Sequence, residues 1–261
     1  MTTTRRPRRQ LLPQAVTPPA TKLSDFALGV YSPPGLGKTT LGNQFPNPVF
    51  LDTERGTLGI ECYRMEIGTW GEFKGALDAL ATEPHDFRTV IVDTANALFD
   101  MLVKDVCAEY GVEDPGDVAH GRAWGKISSR WKDAISRLRA LRRKDGTKVM
   151  PLLMLHEKRT EIRERKGSKT VDTGRFKVGP SLPPSARTIL HGHVDFLFHG
   201  ELQPSGDRVL RSQPVMGTEE DVEAKGRGRE GAMLPDVIPM SFTSILHAFN
   251  TTLGSTSTTG A

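Results

Sequence analysis

Phe26-Ala27-Leu28-Gly29-Val30-Tyr31-Ser32-Pro33-Pro34-Gly35-Leu36-Gly37-Lys38-Thr39-Thr40 decides the fold. An apolar strand signal runs into a glycine-rich turn, and a helix signal follows from Leu41. Small residues at such a junction let the backbone curl around a β-phosphate with its N–H groups pointing inward. The stretch from Ser32 to Thr40 is therefore read as a phosphate-binding loop, its members being Ser32, Pro33, Pro34, Gly35, Leu36, Gly37, Lys38, Thr39 and Thr40. Lys38 has the reach for the β- and γ-phosphates, and the Thr39 hydroxyl suits Mg²⁺. One residue departs from the usual G-x-x-x-x-G-K-[ST]. Ser32 stands where the first glycine is expected, and a Cβ there is penalised if the turn needs positive φ.

Working outward, the pattern alternates strand and helix. Short buried strands are expected at Pro48–Asp52, Val90–Asp93 and Val149–Leu155, with an edge strand at Cys62–Ile67. Helices are expected around Trp70–Leu80, over Ala95–Tyr110, over Lys126–Lys144 and over Ser241–Phe249. The basic Arg142-Arg143-Lys144 cluster is read as the dipole-matched end of the third of these. Val194–Leu202 and Arg208–Ser212, joined by Gln203-Pro204-Ser205-Gly206-Asp207, read as an antiparallel hairpin. The expected fold class is thus α/β, with a mostly parallel central sheet flanked by helices and a C-terminal antiparallel hairpin. One domain is assigned to 22–250, between a Thr/Arg/Pro-rich arm at 1–21 and a Thr/Ser/Gly-rich tail at 251–261, both read as disordered.

No apolar run approaches a membrane span, and the basic first residues lack a hydrophobic stretch, so a cytoplasmic protein without a membrane partner is expected. Cys62 and Cys107 lie far apart without ligand spacing and read as reduced thiols. The net charge of +4 is unevenly spread. Arg5, Arg6, Arg8 and Arg9 give the arm +4, and residues 158–177 carry eight Lys/Arg against Glu161, Glu164 and Asp172. Positive charge gathered in two short segments is how a nucleic-acid contact is built, although a solubilising role has the same signature.

Two acidic positions follow strand signals. Asp93 closes Thr89-Val90-Ile91-Val92 and emerges at the carboxyl edge of the sheet, where such folds bind ligands. It is assigned, with Thr39, to a Mg²⁺ site; capping of the next helix is the alternative. Glu54, after Phe50-Leu51-Asp52-Thr53, and its competitor Asp52 are the candidates for the base that orients and deprotonates the attacking water, Glu54 being preferred on the resemblance given below as much as on spacing. His191 and His193 would share one strand face, without a third metal ligand.

Ser32–Thr40, Phe50–Glu54 and Val90-Ile91-Val92-Asp93-Thr94 together resemble the RecA-type ATPase core, in particular small phage RecA-like proteins of single-strand annealing and recombination. The resemblance covers roughly 24–248 and is strongest in the first half. It implies ATP and Mg²⁺ as ligands, water activation by Glu54, metal service by Asp93 and a γ-phosphate sensor at His156. It also implies that Glu157–Lys177 is a mobile loop binding single-stranded DNA through Arg159, Arg163, Arg165, Lys166, Lys169, Arg175 and Lys177. Phe176 is the one aromatic there, so phosphate contact would dominate over stacking. Lys225-Gly226-Arg227-Gly228 resembles the Lys-x-Arg element inserted into a neighbour's nucleotide site, implying that Lys225 and Arg227 act in trans within a homo-oligomer or filament. A helicase or helicase loader uses the same parts, and a P-loop kinase of a small metabolite is a further rival. A non-catalytic DNA-binding module with a degraded site rests on Ser32 alone.

Overall fold

Period-two alternation sets which side of the sheet each strand residue meets. In β1 (Leu28–Ser32), Leu28 and Val30 join one apolar core and Tyr31 the other. β2 (Pro48–Asp52) and β4 (Thr89–Asp93) obey the same rule, Phe50 and Ile91 facing the first core and Val49, Leu51, Val90 and Val92 the second. Strands apolar on both faces belong in a sheet covered by helices on both sides. The structure, a computed structural model, describes residues 15–17, 19–166, 169–217, 219–226 and 232–253.

The remaining strands are β3 (Tyr63–Glu66), β5 (Met150–Lys166), β6 (Lys169–Pro180), β7 (Phe196–Leu202), β8 (Arg208–Arg211), β9 (Val215–Met216), β10 (Glu220–Val222) and β11 (Val237–Pro239). The sheet order is β11-β8-β7-β1-β5-β4-β2-β3. From β7 to β3 every neighbouring pair is parallel, and β8 and β11 close one edge antiparallel. The mostly parallel sheet and the β7–β8 hairpin are as expected.

Helices α2 (Trp70–Thr82), α3 (Ala95–Tyr110), α4 (Arg122–Ala140) and α5 (Pro184–His193) cover one face, and α1 (Lys38–Gly42) and α6 (Phe242–Leu253) the other. Trp131 of α4 is fully buried, and its indole N–H donates to the Ala186 carbonyl of α5 at 3.2 Å. α2 starts on a capping box in which Thr69 and Glu72 satisfy each other's N–H groups. Among the described residues no helix is long and apolar enough to cross a membrane.

Several boundaries differ from expectation. α1 is only five residues long, because Pro46 and Pro48 follow its end closely. α4 stops at Ala140, so Arg142 and Arg143 are not on a helix end; Arg142 bridges to Lys148 and Arg143 pairs with Asp145 in the turn that follows. α6 runs to Leu253, past the expected tail boundary, while 254–261 and the arm arginines lie outside the described residues. His191 and His193 lie in α5, not a strand, with Nε2 of His191 at 2.8 Å from Glu223 Oε2 and Nδ1 of His193 at 2.8 Å from the Ile189 carbonyl. No three His, Cys, Asp or Glu side chains form a metal-binding group among the described residues.

Candidate active site

Parallel register brings the ends of four strands to one edge. Ser32 of β1 lies opposite His156 of β5, and Asp52 of β2 opposite Asp93 of β4. Strand β5 sits between β1 and β4, so His156 stands between the glycine-rich loop and the acidic strand ends.

The loop turns through φ of 78° at Gly35 and 102° at Gly37, which only glycine adopts without strain. Lys38 is buried at its base, its ammonium donating to the Ser32 carbonyl (3.2 Å), the Ser32 hydroxyl (3.1 Å) and the Pro33 carbonyl (3.2 Å). Burial pushes this ammonium below its usual value, against the pull of Asp93 and Glu54. Pro33, Pro34, Gly35 and Thr40 are exposed and Leu36 is buried.

Ser32 does not meet the penalty expected of it. It is the last residue of β1, outside the positive-φ residues, and it needs room for a side chain rather than a special backbone. That room comes from Gly200 in the neighbouring strand β7, where a Cβ would fall 3.0 Å from Ser32 Cβ and 2.8 Å from Leu36 Cδ2. Gly200→Ala should therefore distort the loop, lowering the unfolding free energy by about 1–3 kcal/mol, as overpacking does. Adding Ser32→Gly should recover part of the loss, and an additive double mutant in thermal denaturation would contradict the pairing.

Beyond the loop, the Thr39 hydroxyl donates to Asp93 Oδ2 at 2.7 Å. Burial pushes the Asp93 carboxyl up, the Thr39 hydrogen bond pulls it down, and the Asp52 charge adds to the upward shift. A buried carboxylate held at this cost is a site that a cation would relieve. Gly56 faces the pair, with its missing Cβ 3.7 Å from Asp93 Oδ2 and 3.8 Å from Thr39 Oγ1. The two hard oxygens fit Mg²⁺.

Asp52 and Glu54 differ in their hydrogen bonds. Asp52 accepts from the N–H groups of Glu54 (3.3 Å), Gly56 (3.1 Å) and Thr57 (3.1 Å) and from the Thr57 hydroxyl, so its carboxylate pins its own turn. Glu54 projects from that turn. Its Oε2 accepts from the Thr94 hydroxyl at 2.6 Å and lies 3.0 Å from His156 Nε2. Its charge also acts on both Lys38 and Asp93. Lys38, Thr39, Asp93, Glu54 and His156 thus gather in one place.

Glu157–Lys177 is not a loop. β5 continues past His156 into a long antiparallel hairpin with β6, with one register shift between Glu161 and Arg163. Alternating charged side chains on solvated strands hide the apolar signal that usually marks a strand. Ser181 N–H donates to the His156 carbonyl at 2.8 Å, closing the base of the hairpin. The short acidic strand β10 lies beside β6, and Arg159 pairs with Glu220, Arg175 with Asp221 (2.7 Å) and Lys177 with Glu223 (3.0 Å). Arg163 pairs with Asp172 at 2.9 Å and Glu161 at 3.3 Å, and Arg159 lies 5.0 Å over the Phe176 ring. Lys166 and Lys169 close the far end in register, their side chains outside the described part.

Lys225 is not poised at solvent. Its ammonium donates to the His191 carbonyl (3.0 Å) and the Val194 carbonyl (2.6 Å), closing the C-terminal end of α5 in its own subunit, and burial pushes it below its usual value. Arg227 lies outside the described residues.

Sequence reasoning missed Thr94 and Asn96. Thr94 caps α3 and holds Glu54; Asn96 accepts from the His156 N–H at 2.7 Å and donates to the Ser181 carbonyl, tying α3 to both strands of the hairpin base. The signal was their place directly after Asp93.

A family model described as an AAA domain matches residues 25–227, more than three quarters of the chain. No curated protein matches it.

Proposed function

The chain belongs to this AAA-domain family of P-loop ATPases, and from that footing we propose a RecA-type, Mg²⁺-dependent ATPase that grips single-stranded DNA in phage-type recombination or annealing, working as an oligomer. The observation that carries the reading is the continuity of β5. One unbroken strand runs from the sheet, past His156 beside Glu54, into the basic hairpin. A change at the nucleotide is thereby one residue away from the element that bears residues 158–177 with their net charge of +5.

Lys38 holds the β- and γ-phosphates, and Thr39 and Asp93 hold the Mg²⁺. Held by these residues, Mg²⁺ would supply charge compensation for the phosphate oxygens. Glu54, kept in place by Thr94 and His156, accepts a proton from the water that attacks the γ-phosphorus. ADP then leaves with its bond to the γ-phosphate broken, and inorganic phosphate carries the water oxygen. Loss of the γ-phosphate frees His156 and Glu54 to rearrange, and Asn96 passes the shift to both ends of the hairpin base.

The exposed outer ion pairs of the hairpin, Arg163 with Asp172 and Glu161, do not argue against DNA. Exposed pairs contribute about 0–1 kcal/mol, and phosphates compete with carboxylates for the same guanidinium. Arg163, Arg165, Lys166 and Lys169, in the outer half, are the first points of contact, with Arg159, Arg175 and Lys177 nearer the base. Charge reversal at Arg163, Arg165 and Lys166 should weaken single-stranded DNA binding at least tenfold and flatten its dependence on salt. Fluorescence anisotropy across a salt series checks this; an unchanged slope removes the hairpin from the DNA interface.

A further inference from the structure

Arg208 opens β8, opposite Leu202 at the end of β7. Since β7 runs parallel beside β1, Arg208 enters the molecule at the edge that carries the glycine-rich loop. Its side chain crosses the face of Gly37. Nη1 is 2.9 Å, and Cζ 3.8 Å, from where a Cβ on Gly37 would stand. The Arg208 side chain has no carboxylate or carbonyl partner among the described residues, whereas Arg211 in the same strand is held by Glu201 at 2.7 Å. The nearby Asp207 is instead engaged by the Ser205 hydroxyl at 2.7 Å. A guanidinium is thus laid against the phosphate loop without a counter-charge among the described residues.

We propose that Arg208 is a further binding residue of this site, gripping an anionic oxygen of the bound phosphate chain from within the same chain as Lys38. The inference rests on the nucleotide-binding reading of the loop. A planar guanidinium offers paired donors that match two phosphate oxygens, which the point charge of Lys38 cannot do. Arg208 supplies this charge in cis, so phosphate binding through it does not wait for a second subunit. Gly37 is required twice over: by its backbone angle, and because a side chain there would push the guanidinium away.

Isothermal titration with Mg²⁺-ATP and with Mg²⁺-tripolyphosphate, which has no base, tests this on wild type, R208A, R208Q and K38A. Arg208 is exposed and its side chain has no partner among the described residues, so R208A and R208Q should melt as wild type does. Both should bind each ligand about ten- to a hundredfold more weakly, the loss expected for a charge-assisted contact. R208A within twofold of wild type, while K38A loses binding, overturns the inference and leaves the nucleotide reading standing. A loss seen with ATP and absent with tripolyphosphate also overturns it, because the contact would then be to the base or sugar. Wild type binding neither ligand would bring down the nucleotide reading and this inference together.

Discussion

Glu54→Gln should lower ATP turnover by about two to four orders of magnitude and leave nucleotide affinity nearly unchanged. The substitution is close to isosteric. The new amide keeps an oxygen for the Thr94 hydroxyl, which reaches Oε2 of Glu54 at 2.6 Å, so the turn and its neighbours stay in place. What disappears is a carboxylate able to accept a proton. Asp52 cannot replace it, because its oxygens are occupied by the N–H groups of Glu54, Gly56 and Thr57. Phosphate release and calorimetric binding, measured on the same preparation, separate the two effects. Turnover within threefold of wild type would return the base assignment to open choice.

Lys38→Ala should weaken ATP binding at least a hundredfold, and the unliganded protein should lose little stability. Lys38 is 6 % exposed and its ammonium is surrounded by loop acceptors, so removing it also removes a desolvated charge. The energetic loss therefore falls on the bound state, where charge-assisted bonds to phosphate are worth about 1.5–3 kcal/mol each. A ligand that binds only the folded protein raises its melting temperature, the more so the further its concentration exceeds Kd. Wild type should show that rise with Mg²⁺-ATP, and Lys38→Ala should not. A variant that keeps the full rise would mean that another part of the molecule holds the nucleotide.

The parts of this site that rest on short local patterns are legible in the sequence. Ser32–Thr40 carries its glycines and lysine within nine residues, and Asp93 ends a run of β-branched residues that reads as a buried strand in any context. The rest depends on what lies alongside in space. Ser32 reads as a flaw because Gly200, which makes room for its Cβ, is far away in sequence. Asp52 and Glu54 are both eligible on spacing, and only the hydrogen bonds of the turn between them show which carboxylate is already engaged. The hairpin from β5 to β6 reads as a loop because both of its faces are solvated, so no apolar alternation marks it. Lys225 reads as a free cation because its sequence neighbours are glycines and charged residues, although its ammonium lies on the end of α5. Arg208 carries no signal, since an arginine after a tight turn is ordinary until a phosphate loop is found beside it.

The proposed function joins nucleotide chemistry to DNA grip along β5, and the DNA part of the proposal turns on that link. It is exposed by steady-state ATP hydrolysis with and without single-stranded DNA, run on wild type and on the variant reversed at Arg163, Arg165 and Lys166. DNA should raise the turnover of wild type several-fold, while the variant should keep the basal rate and lose the stimulation. Turnover indifferent to DNA in wild type, or stimulation equal in both proteins, would break the link.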